Sequence, residues 1–289
     1  MQRRSNKESV PQGMEKDVLS HDRNITSQIN FTESRTKMRN TQRLDKIVSN
    51  FGYGTRKEIK AMVKNGLIKV DGQVAKDSGM HVDPNSSIIE INGEVLNYKE
   101  FIYLMLNKPQ GVISATFDQR HKTVVELMPE EVLHYDLFPV GRLDIDTEGL
   151  LIMTNDGELA HEVLSPKKHV KKKYYALIDG NVTELDKEAF SKGITLDDGY
   201  KTMPALLNII KSGSISEIEL SIVEGKFHQV KRMFEALGKE VKFLKRIEMG
   251  GIFLDESLKP GECRELTEKE LTVLRNSAGK GLEEKDKDE

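Results

Sequence analysis

The sequence predicts an α+β protein in two parts: a small N-terminal module of two helices plus short hairpins, and a larger domain on a largely antiparallel mixed sheet. Three observations lead there. Short apolar runs are closed by Asp71-Gly72 and Asn92-Gly93, the dipeptides that suit tight hairpin turns. Separate stretches carry apolar residues at helical spacing, each ended by glycine. The polar segment at 97–100 divides a chain of 289 residues, a length suited to one large or two ordinary domains.

The elements follow in order. Residues 1–41 are rich in Ser, Asn, Thr and charge without a sustained apolar period, which predicts a disordered leader. Met38 stands just before the first periodic segment, and translation is expected to start there. From Gln42 onward Leu44, Ile47, Val48 and Phe51 mark one face of a helix that stops at Gly52-Tyr53-Gly54. A second helix opens on Thr55-Arg56-Lys57-Glu58, a capping box, and buries Ile59, Met62 and Val63. Lys57, Lys60 and Lys64 align on another of its faces. A hairpin from Ile68 to Val74 and a strand at Ile88 to Ile91 complete the module, placed at 42–95.

Within 100–272, Phe101 to Leu106 reads as a strand, and the turn Asn107-Lys108-Pro109-Gln110-Gly111 predicts a hairpin with a second strand from Val112. Glu158 to Leu164 fits a short helix. Lys171 to Ile178 is basic and then strand-like, with Tyr174 and Tyr175 on opposite faces and Tyr175 the better fit to a core position. Ile218, Leu220 and Ile222 alternate as a strand, and Val230, Met233, Phe234 and Leu237 form the buried stripe of a helix stopped by Gly238. Val241 to Ile247 is the next strand, and 276–289 is expected to be a charged, disordered tail.

Composition narrows the function classes. No run approaches the length of a membrane span, so no membrane association is expected. The N-terminus lacks a signal-peptide core, and Glu8, Glu15 and Asp17 argue against a transit peptide. The single cysteine, Cys263, excludes an internal disulfide and a cysteine-based zinc site, and it fits a reducing cytoplasm. A net charge of −3 conceals segregation. Lys37 to Lys69 holds nine basic residues against Asp45 and Glu58, Lys167 to Lys173 has five lysines, and Lys226 to Arg246 has seven basic residues against Glu235 and Glu240. Basic stretches set apart from the acid are what binding a phosphate backbone requires.

The chemistry concentrates in Val140 to Gly157. An apolar run, Leu150 to Met153, is entered through a glycine-flanked loop carrying Arg142, Asp144, Asp146 and Glu148, and is left through Asp156-Gly157. Solvent alone accounts for many acidic loops. This one abuts an apolar strand with an arginine two places before the first aspartate, as a carboxylate fixed at a pocket mouth would be.

The wording Gly-Arg-Leu-Asp-x-Asp-Thr-x-Gly-Leu, followed by Thr-Asn-Asp-Gly, resembles the central motif of ribosomal RNA pseudouridine synthases of the RsuA type. Asn107-Lys108-Pro109-x-Gly111, Lys172-x-Tyr174 and Glu224-Gly225-x-x-His228-Gln229-Val230-Lys231-Arg232-Met233-Phe234 are similar to further segments of that family. Residues 42–95, from Arg43-Leu44-Asp45-Lys46 through the lysine-faced helix to Val70-Asp71-Gly72, resemble the small RNA-binding domain named after small-subunit ribosomal protein S-four.

The resemblance implies isomerisation of a specific uridine in ribosomal RNA. The bond from ribose C1′ to N1 breaks, the base turns, and it is rejoined through C5. It implies Asp144 as the catalytic carboxylate, Tyr174 as the ring against the target base and Lys231 as the partner that keeps the carboxylate ionised. Neither cofactor nor metal is implied. The expected RNA contacts are Arg56, Lys57, Lys60, Lys64, Arg142, Lys172 and Arg232. The wording from His228 to Met233 is most similar to members acting on the small subunit; a large-subunit synthase is the alternative. The expected partner is ribosomal RNA or a ribosomal assembly intermediate, met by a cytoplasmic monomer. Two other classes compete: a magnesium enzyme using Asp144, Asp146 and Glu148, which lacks a second ligand cluster, and a non-catalytic assembly factor, which leaves Asp144 without a role.

Overall fold

The computed structural model describes residues 41–279, and its contacts divide the chain between Lys99 and Glu100. The expected leader and the Met38 start lie outside the described residues, apart from residue 41.

The first unit contains β1 (Gln42–Arg43), α1 (Leu44–Asn50), α2 (Arg56–Lys64), β2 (Ile68–Val70), β3 (Gln73–Val74), β4 (His81–Val82), β5 (Ile89–Ile91) and β6 (Glu94–Val95). The helical period at 42 thus starts as a two-residue strand paired with β4, and α1 begins at Leu44. The capping box of α2 is complete. Glu58 Oε2 accepts from the Thr55 amide at 2.7 Å, and the Glu58 amide donates to Thr55 Oγ1 at 3.4 Å, so free donors of the first turn are satisfied. Asp71 (φ 51°) and Gly72 (φ 77°) turn β2 into β3, and Asn92 and Gly93 do the same between β5 and β6. Leu44, Ile47, Val48, Ile59, Ile68, Ile89 and Ile91 close the core, leaving Arg56, Lys57, Lys60 and Lys64 exposed on α2.

The second unit is built on one sheet. Its strands are β7 (Tyr103–Lys108), β8 (Phe138–Pro139), β9 (Glu148–Thr154), β10 (Lys172–Asp179), β11 (Leu206–Lys211), β12 (Ile215–Ile222), β13 (Glu240–Met249), β14 (Ile252–Phe253) and β15 (Cys263–Glu265). The order is β11-β12-β10-β13-β9-β7-β15, with β14 on β13 and β8 on β9. Pairing is antiparallel except between β13 and β9. The helices are α3 (Gly157–Leu164), α4 (Glu184–Lys192), α5 (Gln229–Glu235) and α6 (Glu268–Gly279).

Both sheet faces are covered, so β9 reads as a continuous apolar run rather than an alternating one. Leu151 and Met153 join one core with Tyr174, Phe190, Leu220, Val230 and Phe234. Leu150 and Ile152 join the other, with Val163, Met249, Leu271 and Leu274.

Two expectations are corrected. The Asn107–Gly111 turn does not lead into a hairpin: β7 pairs with β9 and β15, and the residues after Gly111 make only a bridge from Ile113 to Thr123. The turn instead docks on the central loop, the Gly111 amide donating to Ile145 O at 2.7 Å. The chain also stays helical past residues 272 and 276 as far as Gly279, because Leu271, Leu274 and Ala278 form a buried stripe on the second core. The rest of the tail lies outside the described residues.

Candidate active site

The loop from Val140 to Thr147 is built before it is functional. Its first end is tied down by the Val140 amide, which donates to Ile152 O at 2.7 Å. Leu143 is buried, and its amide and carbonyl both bond the Ser114 hydroxyl, at 3.0 and 2.9 Å. Underneath lies Lys108 at the end of β7, with no exposed surface. Its ammonium donates to Pro109 O (3.0 Å), Asp144 O (3.0 Å) and Thr147 O (2.9 Å). Asp144 O also accepts from the Thr147 amide at 3.1 Å, and the buried cation adds a second donor there while supplying one to Pro109 O and Thr147 O. Burial lowers the Lys108 pKa to about 8, although Asp144, Asp146 and Glu148 pull the other way. Beyond the loop the chain passes against β13, where a Cβ on Gly149 (φ 102°) would stand 2.2 Å from Arg246 O. Only glycine fits there.

This framework presents the carboxylates to α5. Lys231 Nζ lies 2.6 Å from Asp146 Oδ1 and 3.5 Å from Asp144 Oδ2. His228 Nε2 is 3.7 Å from Asp144 Oδ1. Burial alone would raise the Asp146 pKa, but the Lys231 hydrogen bond and charge outweigh it and leave the carboxyl below its ordinary value. The expected pairing of Lys231 with Asp144 is therefore shared, with Asp146 the nearer partner.

Tyr174 completes the pocket. Inward positions alternate along β10, so Tyr174 faces the core with Ala176 and Ile178 and is 8 % exposed. This corrects the expectation that Tyr175 is the core residue: Tyr175 faces the other way, its hydroxyl bonding Glu217 and its ring edge meeting Phe243. The pocket, about 450 Å³ of open space including its mouth, is lined by Asp144, Tyr174, Ile222, Leu244, His228 and Lys231, with exposed Arg142 at its edge. A charged group, an aromatic face and a cation thus meet from three distant stretches of chain. Among the described residues no three His, Cys, Asp or Glu side chains are grouped as a metal site needs.

The second half of the central motif is structural. Thr154 Oγ1 donates to Ile102 O (2.7 Å), and Asn155 Oδ1 accepts from the Ile102 amide (2.9 Å). Asp156 caps α3 through the Leu159 amide (3.0 Å) and accepts from the Tyr103 hydroxyl (2.7 Å).

Two expected RNA contacts do not stand free. Lys172 is buried, donates to Val170 O at 2.9 Å, and has its pKa lowered to about 8 by burial and by nearby Arg246. Its inward position on β10, two before Tyr174, sends it into the domain rather than to solvent. Arg232 is held by Asp197 and Asp198. Neighbouring Lys171 and Lys173 pair with Glu248 and Glu219, so much of the lysine run is neutralised locally. The sequence reading missed Lys108 and His228 as site residues. The signal was thin in both cases: a lysine closing an apolar strand, and a histidine inside a motif with no role assigned.

Comparison with known proteins gives a consistent result. Residues 102–236 match the family described as RNA pseudouridylate synthase, and residues 42–88 match the S4 domain. An RNA pseudouridine synthase of Bacillus subtilis is 52 % identical over 233 residues, covering 80 % of this chain and 98 % of that one. The ribosomal large subunit pseudouridine synthase B of the same organism is 39 % identical, covering 83 % and 98 %. The ribosomal small subunit pseudouridine synthase A of Escherichia coli is 37 % identical, covering 80 % and 99 %. A crystal structure of a pseudouridylate synthase superposes with a TM-score of 0.57 at 36 % identity, covering 80 % of this chain and 99 % of that one.

Proposed function

The chain belongs to the RNA pseudouridylate synthase family, and from that premise we propose that it converts one uridine of ribosomal RNA to pseudouridine, with Asp144 as the reacting carboxylate. The observation that carries this reading is the meeting of Asp144, Lys231 and Tyr174 in one pocket. The reaction is an isomerisation, so nothing is oxidised and no group leaves. It needs a carboxylate at the ribose, to attack C1′ or to take the C2′ proton, and a place where the detached base can turn. Tyr174 supplies a fixed ring face for the flipped uracil, and its buried setting limits water around the reacting bond. Lys231 bridges Asp144 and Asp146, which offsets the repulsion between the two like charges and aims Asp144 into the pocket.

The substrate assigned is small-subunit RNA, supported by the wording His228-Gln229-Val230-Lys231-Arg232-Met233; relatives named for either subunit are comparably similar. The exposed Lys57, Lys60 and Lys64 of α2 serve affinity by neutralising phosphates, in a cytoplasmic protein that acts as a monomer on naked RNA or an assembly intermediate.

The test is single-turnover pseudouridine formation on a ribosomal RNA fragment, with uridine sites mapped in RNA from a deletion strain. Asp144→Asn abolishes turnover and leaves the dissociation constant nearly unchanged, whereas Asp146→Asn is milder. Near wild-type isomerisation by Asp144→Asn would falsify the assignment, and a missing pseudouridine in large-subunit RNA would move the substrate.

A further inference from the structure

The turn between β12 and α5 is fixed more firmly than a surface turn requires. Glu224, 8 % exposed, accepts from the Met203 amide (2.9 Å), the Tyr200 hydroxyl (2.7 Å) and Gln229 Nε2 (2.7 Å). The Lys226 amide donates to Gln229 Oε1 at 2.9 Å, and the Lys226 ammonium sits 4.6 Å over the Tyr200 ring. On this anchored turn stands Phe227, 68 % exposed. One ring face rests on His228, with centroids 3.8 Å apart and planes within 18°. His228 is held in the left-handed region (φ 48°), and its Nε2 lies 3.7 Å from Asp144 Oδ1.

An isolated exposed apolar side chain is ordinary. This one is preorganised, stacked, and set between Lys226 and His228, which both line the pocket. We propose that the Phe227–His228 stack is a base platform at the pocket mouth, which receives the open face of a nucleotide flanking the target uridine. The inference rests on the reading of the Asp144 pocket as the site of the flipped uridine. Flipping one base out of a strand leaves its neighbours with an unstacked face. A planar, rigid aromatic pair beside the pocket replaces the missing partner, and neighbouring Lys226 supplies charge for the backbone. A Phe ring has no hydrogen-bonding group, so the platform selects for the presence of a base rather than for its identity.

The experiment uses a ribosomal RNA fragment that the wild-type enzyme modifies, and copies carrying one abasic nucleotide at each position around the target. Phe227→Leu binds the intact fragment about tenfold more weakly. One abasic position weakens wild-type binding by a similar factor, and on that RNA Phe227→Leu loses nothing more. Phe227→Tyr, which keeps the ring, restores binding. Unchanged affinity of Phe227→Leu, or the same loss on every abasic RNA, overturns the platform. Absence of pseudouridine formation by the wild type in any ribosomal RNA removes the underlying reading at the first step, before any variant is compared.

Discussion

Replacing Lys108 with methionine tests the support beneath the loop that carries Asp144. The change keeps the stem volume and removes the ammonium, leaving the carbonyls of Pro109 and Thr147 without that donor and Asp144 O with the Thr147 amide alone. Each buried group left unsatisfied costs about 1–3 kcal/mol, so the two together cost about 2–6 kcal/mol. Against that total, the variant is relieved of a buried charge. The Lys108 pKa of about 8 lies below the ordinary lysine value of 10.5, a difference that costs about 3 kcal/mol while the group is charged. The net destabilisation at pH 7 is therefore at most about 3 kcal/mol.

The pH dependence has a definite sign. Between pH 8 and 10.5 the unfolded state binds more protons at this lysine than the native state, so its contribution to stability rises with pH. It is complete above the unfolded value and lost as pH falls through the native one. The stability gap between wild type and Lys108→Met thus widens by about 2.5 kcal/mol from pH 7 to pH 10. Denaturant unfolding of the larger domain at several pH values reads the gap. Single-turnover kinetics at pH 7 should show at least about a tenfold slower reaction, because the carbonyl of Asp144 itself loses one of its two donors. A gap that stays constant with pH refutes the depressed pKa. Reduced stability with unchanged rate refutes the idea that Lys108 positions Asp144.

The other predictions concern binding. Changing Lys57, Lys60 and Lys64 together to alanine should flatten the salt dependence of RNA affinity by about one unit of log–log slope for each phosphate no longer neutralised; an unchanged slope would make the stripe a solvated face. Lys172→Met, by contrast, should leave that slope unaltered, since its ammonium is turned inward to Val170 O, and a reduced slope measured by titration at several salt concentrations would contradict the buried placement.

The fold was legible wherever the determinant is local. The capping box at Thr55 and Glu58, the left-handed turns at Asp71-Gly72 and Asn92-Gly93, and the buried stripe Val230, Met233, Phe234 depend on residues a few positions apart, whose physics a linear pattern carries. The family motifs likewise singled out Asp144, Tyr174 and Lys231 from short stretches of wording. Tertiary structure decided what depends on partners far along the chain. The Asn107–Gly111 turn looks like a hairpin because a strand and Pro-Gly turn precede Val112, yet β7 finds better partners in β9 and β15, and the turn supports the loop of Asp144.

Charge was the least readable property. Lys108, Lys172 and Arg232 are all cations in sequence. One is buried under three carbonyls, one turned into the domain and one held by two aspartates, while Lys57, Lys60 and Lys64 remain exposed. A sequence states that a lysine is present. Whether its charge faces solvent, a carboxylate or a row of carbonyls is set by residues tens of positions away, because desolvation and Coulomb energy depend on distance in space and not on distance along the chain.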